Sequence, residues 1–508
     1  MKFRSIVEYL EQSAARYPDK VVFASDEGSI TYAAFIKEAR KVASQLSEKS
    51  RVAILIDRSV ECLIAIFGVA YANGCCVVLD MESPEERSQK ILDVFAPQQY
   101  ITNQRNVAKA RKICGDEMLI LEELLQAEPN DRRLSGILRR MIDTDPFLVM
   151  FTSGSTGTPK GTVICHRSLI DYIEAACDAL GIDSCVVWGN QAQLFYSMCV
   201  LDVFSTVAVG ATLHIIPRRY FSFPALLIGY LNEHKINSVY WVPSVLTSVA
   251  VMDTFSEYLP RYLEKVFFAG EVMPVRHLNY WIDHLPDCIY ANLYGPTEIT
   301  DTCTYYIVDR HFEEHESLPI GIPFKNCEVI VIDDDGKRVL RPEDGQGVLY
   351  VRGSFLGLGY YGEPEKTQAS FVQNPLNEAY PELLYRTGDY VCFNARGELL
   401  YRGRVDHQIK HMGHRIELGE LECAAASILG VDQVACIYDG EKRQIILFYS
   451  GKAEDANIRE QLAKLLPAYM TPARIICRES LPLTSTGKAD RVKLAALYRQ
   501  TQEPSIRE

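Results

Sequence analysis

No Cys-x-x-Cys pair occurs among the fifteen cysteines, so no paired-thiol motif is present. Many sit in apolar surroundings such as Ala70-Tyr-Ala-Asn-Gly-Cys-Cys-Val-Val-Leu79, and they read as buried free thiols in a reducing compartment. No window approaches the ~20 apolar residues of a membrane span. The start, Met1-Lys-Phe-Arg-Ser-Ile-Val-Glu8, has no uninterrupted apolar run of the signal-peptide kind. The expectation is a cytoplasmic protein with no membrane partner. Basic residues are outnumbered, 53 against 66 acidic ones, for a formal charge of −13, and no Lys/Arg stripe with interleaved aromatics stands out. A phosphate backbone would be repelled, which argues against nucleic acid as a partner. Internal repeats and low-complexity tracts are missing as well.

At 508 residues the chain exceeds a single core and should hold two or more domains. Its 48% apolar and 23% charged residues suit an ordinary globular protein with a large buried core. The most informative run is Thr152-Ser-Gly-Ser-Thr-Gly-Thr-Pro-Lys160-Gly161, directly after the apolar Phe147-Leu-Val-Met-Phe151, which reads as a buried strand. Its glycines let the backbone approach a ligand, its hydroxyls and amides donate to phosphate oxygens, and Lys160 adds positive charge. Such a loop suits a polyphosphate; a Gly/Ser/Thr linker is the plain alternative. It is not a Walker A loop. That motif opens a helix with Gly-Lys-Ser/Thr, whereas here Pro159 precedes Lys160 and Gly161-Thr-Val163 follows it, a poor helix start.

The first half alternates strand-like runs (Arg51–Asp57, Cys76–Asp80) with amphipathic stretches (Val60–Tyr71, Pro84–Phe95), a βαβ rhythm. A second round follows through Ala211–Ile216, the helix-like Phe223–His234, Ser238–Val242 and Val266–Ala269, so two parallel-sheet layers are expected. From about residue 315 to residue 405 the texture becomes short, turn-punctuated β segments, a small β-barrel subdomain. Beyond it, Gly419–Leu429, Val434–Tyr438, Gln444–Tyr449 and Asn457–Leu466 suggest a compact α+β unit. The expected division is an α/β core over 1–405 and a small α+β domain over 406–508.

Five further segments give the loop its meaning. In Asn292-Leu-Tyr-Gly-Pro-Thr-Glu298 a Gly-Pro turn presents a hydroxyl and a carboxylate together, suited to Mg²⁺ beside a triphosphate, although alone it is also a plain turn. In Tyr385-Arg-Thr-Gly-Asp389 an Asp beside a glycine turn has the acceptors for two ribose hydroxyls, and equally reads as a solvated turn. Tyr401-Arg-Gly-Arg-Val-Asp406 supplies an arginine, Gln408-Ile-Lys-His-Met-Gly-His-Arg-Ile-Glu-Leu418 supplies Lys410 and Gly413, and Pro482-Leu-Thr-Ser-Thr-Gly-Lys488 sets a lysine on a turn.

In this order, these motifs resemble the adenylate-forming superfamily that includes nonribosomal peptide synthetase adenylation domains, acyl-CoA synthetases and luciferases. The resemblance extends from Ile30-Thr-Tyr32 through Pro319-Ile-Gly-Ile-Pro323 and Gly357-Leu-Gly-Tyr-Tyr361 to Leu466-Pro-Ala-Tyr-Met470. It looks closer to the synthetase domains and D-alanine carrier-protein ligases than to the CoA synthetases. It implies ATP and Mg²⁺. Thr152, Ser153, Gly154, Ser155, Thr156 and Gly157 would then cradle the β- and γ-phosphates with Lys160, and Glu298 would hold the metal. Asn292 and Tyr294 would frame the adenine, with Gly270, Glu271, Leu293, Gly295, Thr297 and Tyr401 around the nucleotide. Asp389, helped by Arg404, would bind the ribose. Lys488 would bridge carboxylate and nucleotide in the first reaction. Asp406 would be the hinge that brings Lys410 and the Gly413 loop into the second. A carboxylate attacking the α-phosphate needs charge neutralised on both partners and on pyrophosphate, which lysines and Mg²⁺ supply. A thiol then expels AMP to give a thioester. The histidines of Lys410-His-Met-Gly-His414 read as loop residues, not as a zinc set.

Amino-acid-activating relatives place an aspartate against the substrate ammonium. Anchoring Leu194-Phe-Tyr-Ser-Met-Cys-Val-Leu-Asp-Val203 on Asp202 puts Ser197 at that position. A buried ammonium without its counter-charge costs several kcal/mol, so a standard α-amino acid is a poor candidate; a one-residue shift or a carboxylate from elsewhere would reverse this. The rest of the inferred pocket is Tyr196, Met198, Leu201, Tyr240, Phe267, Ala269, Leu293, Asp301 and Thr302. Largely apolar with one polar end, it suits an aryl, hydroxy, keto or short acyl acid, with Asp301 and Thr302 offering an acceptor and a donor; Asp301 could also meet a distal amine, or be structural.

The expected function is activation of a small carboxylic acid with ATP and its transfer to the phosphopantetheine thiol of a carrier protein. The sequence ends about twenty residues past Lys488, so the carrier is expected in trans. An acyl-CoA synthetase is the rival within the class, and a catalytically silent nucleotide-binding scaffold the rival outside it. The presence of Lys160, Glu298, Asp389 and Lys488 argues against the second.

Overall fold

The segment Val60-Glu-Cys-Leu-Ile-Ala-Ile-Phe-Gly-Val-Ala-Tyr71 is apolar on nearly every side, and a helix of that kind must be buried on every side. In a computed structural model describing residues 3–154, 158–405, 408–482 and 489–500, this helix starts at Ser59, whose hydroxyl accepts from Cys62 N at 3.2 Å, and residues 62–71 are all buried. Gly68 permits the approach of the helix Tyr32–Gln45: a Cβ there would lie 2.5 Å from Val42 Cγ1.

The chain forms two compact units, Met1–Met81, Val94–Phe151 and Gly161–Val405 in one, and Glu82–Asp93, Thr152–Lys160 and Asp406–Glu508 in the other. The first is α/β. Its nine-stranded sheet runs in the order Ile322–Pro323, Thr304–Ile307, Ile289–Tyr294, Lys265–Phe268, Ser238–Trp241, Val187–Asn190, Thr212–Ile215, Val21–Ser25, Gly28–Thr31. The six central strands are parallel and the edges antiparallel. Arg51–Leu55, Cys75–Val78 and Gln99–Thr102 build the parallel centre of a six-stranded layer, to which Pro146–Thr152 adds, also parallel, through Leu148. Phe23, Phe35, Phe67, Phe204 and Phe147 form a chain of ring contacts from the first sheet, through three helices, to the second. The two parallel-sheet layers expected from the sequence are both present, packed on shared helices.

After them, Cys327–Ile332, Gln346–Gly353, Phe371–Gln373, Leu383–Phe393 and Leu399–Arg404 make an antiparallel sheet with its own core around Leu349, Val351 and Val391. The second unit holds the hairpin Gln408–His411 with His414–Glu417, and the sheet Val431–Asp439, Gln444–Gly451, Arg474–Cys477. Its hairpin turn is Met412-Gly413, both at positive φ (51° and 80°), the geometry of the two-residue turns that match strand twist. Gly413 therefore fixes a turn. All fifteen cysteines are free of disulfides, but Cys185, Cys423 and Cys477 are exposed, which corrects the reading of the set as buried. Among the described residues no helix is long and apolar enough to cross a membrane.

Candidate active site

Parallel strands deliver their C-terminal ends to one edge of a sheet, where ligands of open α/β folds bind. Gly270 and Glu271 follow Lys265–Phe268 there, and Gly295 to Thr302 follow Ile289–Tyr294. Tyr240, Phe267 and Ala291 are register partners across three strands and share one face with Asn190. Ala269 and Leu293, each two residues further on, continue that face. Ser197 and Thr297, both buried, bring their hydroxyls to 3.1 Å, and a Cβ on Gly270 would touch Met198 Sδ and Tyr196 Oη at 3.5 and 3.7 Å. The structure thus gathers Tyr196, Ser197, Met198, Gly270 and Thr297. Leu201 and Asp202 lie one turn into the helix Cys199–Val209. Asn190 Nδ2 donates to Asp202 Oδ2 at 2.7 Å, yet burial pushes that carboxyl up to about 7. Glu271 accepts from Ser244 N at 3.0 Å, capping the helix Pro243–Val251.

Asp301 and Thr302 are not an open polar end. Tyr172 donates to Asp301 Oδ2 at 2.8 Å and lies 2.8 Å from Thr302 Oγ1, while Tyr240 donates to Asp301 Oδ2 at 3.3 Å. Sequence reasoning missed Tyr172, which looks like any core tyrosine of an amphipathic helix. Between Glu298 and Asp301, Thr300 holds φ +77°, a left-handed strain for a β-branched residue, offset by its hydroxyl bond to Phe355 O at 2.7 Å.

A second group surrounds Glu298, which is fully buried. Tyr360 donates to its Oε1 at 2.6 Å, and Gly357 N to its carbonyl at 2.9 Å. The same segment grips the strand Lys160–Cys165, through Leu358 N to Val163 O, Val163 N to Gly359 O and Tyr361 N to Gly161 O. Tyr360 was visible in the sequence only as part of Gly357-Leu-Gly-Tyr-Tyr361, with no role attached.

A third group is built across the strands Leu383–Phe393 and Leu399–Arg404, where Asp389 and Arg404 are register partners. Arg404 Nη1 donates to Asp389 Oδ1 at 2.6 Å, and Tyr294 donates to Asp389 Oδ2. Burial and the Asp389 charge hold the Tyr294 hydroxyl well above its usual range, so it remains a donor. Tyr401 stands 6.4 Å, ring to ring, from Tyr294. Asn292 turns its amide to Pro319 O at 2.8 Å.

In the second unit, Lys160 opens a strand and not a helix, in keeping with the poor helix start that follows it in the sequence. Thr152 Oγ1 is buried without a hydrogen-bond partner among the described residues, a donor that an anionic oxygen would satisfy. Gly154 leaves no room for a side chain, since a Cβ would sit 2.0 Å from Thr158 O. An unsatisfied hydroxyl two residues from a glycine that admits no side chain fits a phosphate group. Ser153 Oγ donates to Arg415 O at 2.6 Å and accepts from Glu417 N at 3.1 Å. Lys410 and Arg415 are hairpin register partners, and His414 stacks on Tyr469 at 3.7 Å. Ser155, Thr156, Gly157, Asp406 and Lys488 lie outside the described residues. Among the described residues no three His, Cys, Asp or Glu side chains form a metal-binding group; Glu298 is a single carboxylate.

Residues 10–361 match the model of the AMP-binding enzyme family, which defines the class as adenylate-forming ligases of the nonribosomal peptide synthetase adenylation type. The chain belongs to the AMP-binding enzyme family. It is 31% identical to zwittermicin A synthase ZmaJ of Bacillus cereus, over 97% of this chain and 95% of that protein. It is 29% identical to tyrocidine synthase 1 of Brevibacillus parabrevis, over 97% of this chain but 45% of the relative's length. Holo-PA1221, a solved protein containing adenylation and PCP domains, superposes with a TM-score of 0.84 at 21% identity, over 98% of this chain and 84% of that one. The fold is thereby that of the adenylation domains.

Proposed function

We propose that this enzyme activates a small carboxylic acid other than a standard α-amino acid, an aryl, hydroxy or short acyl acid, and passes it to the phosphopantetheine thiol of a separate carrier protein. The observation that carries the reading is the Ser197–Thr297 hydroxyl pair at 3.1 Å. Two neutral hydroxyls provide no counter-charge for an ammonium ion, while they hydrogen-bond well to a hydroxyl or carbonyl.

The groups then divide the work. Thr152, Ser153, Gly154 and Lys160, with Ser155, Thr156 and Gly157, bind the β- and γ-phosphates. Asp389, oriented by Arg404 and Tyr294, takes the ribose hydroxyls. Glu298, aimed by Tyr360, would hold Mg²⁺, which when bound neutralises charge on the triphosphate and on pyrophosphate. Lys488 draws substrate carboxylate and α-phosphate together. The carboxylate oxygen forms its bond to the α-phosphorus as the bond to pyrophosphate breaks; in the second reaction the thiol replaces AMP at the acyl carbon. Asp406 is the hinge between the two, separating the core over 1–405 from 406–508, and Lys410 and the Met412-Gly413 turn serve the second step. The PCP domain of the structural neighbour supports a carrier as thiol acceptor.

The test is ATP–pyrophosphate exchange over α-amino, aryl, hydroxy, keto and fatty acids, followed by transfer of the activated acyl group to a holo carrier protein or to CoA. Exchange confined to α-amino acids would overturn the reading of Ser197, and transfer to CoA alone would overturn the carrier.

A further inference from the structure

The loop from Gly295 to Cys303 joins the adjacent antiparallel strands Ile289–Tyr294 and Thr304–Ile307, whose ends Tyr294 and Thr304 are register partners. It folds back so closely that a Cβ on Gly295 would lie 2.4 Å from Thr302 Cα. The reversal falls on one residue. Asp301 N donates to Ile299 O at 3.0 Å across Thr300, which holds φ +77° and ψ −53°. A bond from residue i+2 back to residue i at those angles is the γ-turn of positive φ, rare and strained for any L side chain and most of all for a β-branched one.

Glycine would take this turn without strain, but it has no hydroxyl. Thr300, 0% exposed, uses its Oγ1 to donate to Phe355 O at 2.7 Å. The segment that follows Phe355 grips the other side of the same turn: Gly357 N donates to Glu298 O at 2.9 Å, and Tyr360 to Glu298 Oε1 at 2.6 Å. On the far flank Tyr172 holds Asp301 and Thr302, each at 2.8 Å. A strained backbone angle persists only where its surroundings over-determine it, and such angles gather at functional sites. Without the Thr300 hydroxyl the turn can relax toward negative φ and carry the Glu298 main chain away from Phe355 and Tyr360. A Mg²⁺ ion held largely by phosphate oxygens and water takes one or two carboxylates from the protein, so a single carboxylate aimed by its neighbours fits that role.

We propose that Thr300 is a positioning residue of adenylate formation, whose strained turn and bond to Phe355 hold the Glu298 carboxylate where it serves the triphosphate. This rests on the assignment of Glu298 to Mg²⁺ and ATP made above.

The experiment is calorimetric titration of the full chain with ATP in the presence of Mg²⁺ and no acid, alongside the melting temperature of each variant without ATP. Thr300→Val keeps the shape and removes the hydroxyl; it should weaken ATP binding about tenfold, the worth of one lost bond to a charged group. Thr300→Gly, which relaxes the turn, should do the same, and Thr300→Ser should restore wild-type affinity. Added to Glu298→Gln, Thr300→Val should cost no more than about a further twofold, because the two residues act as one unit. Thr300→Gly and Thr300→Ser carry the comparison if the valine variant does not fold. Wild-type affinity in Thr300→Val or Thr300→Gly overturns the proposal, whatever happens to the melting temperatures. So does a full tenfold loss on top of Glu298→Gln, or a serine variant as weak as the valine one. Unchanged binding in Glu298→Gln itself overturns the assignment of Glu298, and the proposal with it.

Discussion

Tyr360 and Glu298, 62 residues apart in the chain, meet at 2.6 Å with both side chains buried. One tyrosine thereby orients the carboxylate and, through its neighbours, ties the turn at Thr297–Ile299 to the strand that begins at Lys160. Hydrogen bonds to a charged group contribute about 1.5–3 kcal/mol. Tyr360→Phe should therefore lower the rate of adenylate formation by at least about tenfold, and raise the Mg²⁺ concentration needed for half-maximal exchange. A Mg²⁺ titration of exchange checks this; an unshifted titration would detach Glu298 from the metal.

Asp389 and Arg404 are a buried pair, at 3% and 8% side-chain exposure. Removing one partner leaves the other charge uncompensated, at a cost of about 3–5 kcal/mol. Arg404→Ala should lower the thermal midpoint and weaken ATP binding together. Calorimetry of the variant with and without ATP would show both, and loss of neither would make the pair incidental.

Asp202 gives the fold a pH dependence. Its folded carboxyl titrates at about 7, against 3.8 for an unperturbed aspartate. Between those values the folded state holds a proton that the unfolded state has released. Stability from this group is thus present at low pH and falls as pH rises through about 7. Urea melts from about pH 5 to about pH 8 should show the decline in the wild type and a shallower one in Asp202→Asn.

Gly413 at φ +80° beside Met412 at φ 51° forms the turn that carries Lys410 on one strand and Arg415 on the other. A β-branched residue there is strained by roughly 1–2 kcal/mol. Gly413→Val should spare ATP–pyrophosphate exchange and slow thioester formation. Equal loss of both activities would remove the two-step use of the hairpin.

Much of the architecture was legible in the sequence because the relevant signals are local. The apolar run Val60–Tyr71 becomes a helix with those same ends, and the ends of the strand runs lie within three residues of the observed ones. The short, turn-punctuated β segments after residue 315 become the antiparallel sheet. The site was legible as motifs but not as bonds. Tyr172 reaches Asp301 across 129 residues, and nothing in an amphipathic helix marks one buried tyrosine as the partner of a distant carboxyl. The strain at Thr300 was equally silent, since threonine is not a residue that signals positive φ.

Ser197→Asp tests the pocket alignment directly. If Ser197 stands where an ammonium partner belongs, the new carboxylate should shift preference toward short α-amino acids, read as the ratio of alanine to lactate exchange. An unchanged ratio would place Ser197 outside the substrate's reach.

The most direct measurement is mass spectrometry of the products formed by the wild type from ATP, Mg²⁺ and an equimolar mixture of short hydroxy, keto and acyl acids and the proteinogenic amino acids. Pyrophosphate and the adenylate of a hydroxy or keto acid are expected, both lost in Lys488→Ala. An aminoacyl-adenylate would contradict the reading of Ser197. Cleavage to ADP, or adenylate formation undiminished in Lys488→Ala, would contradict the chemistry assigned to the site.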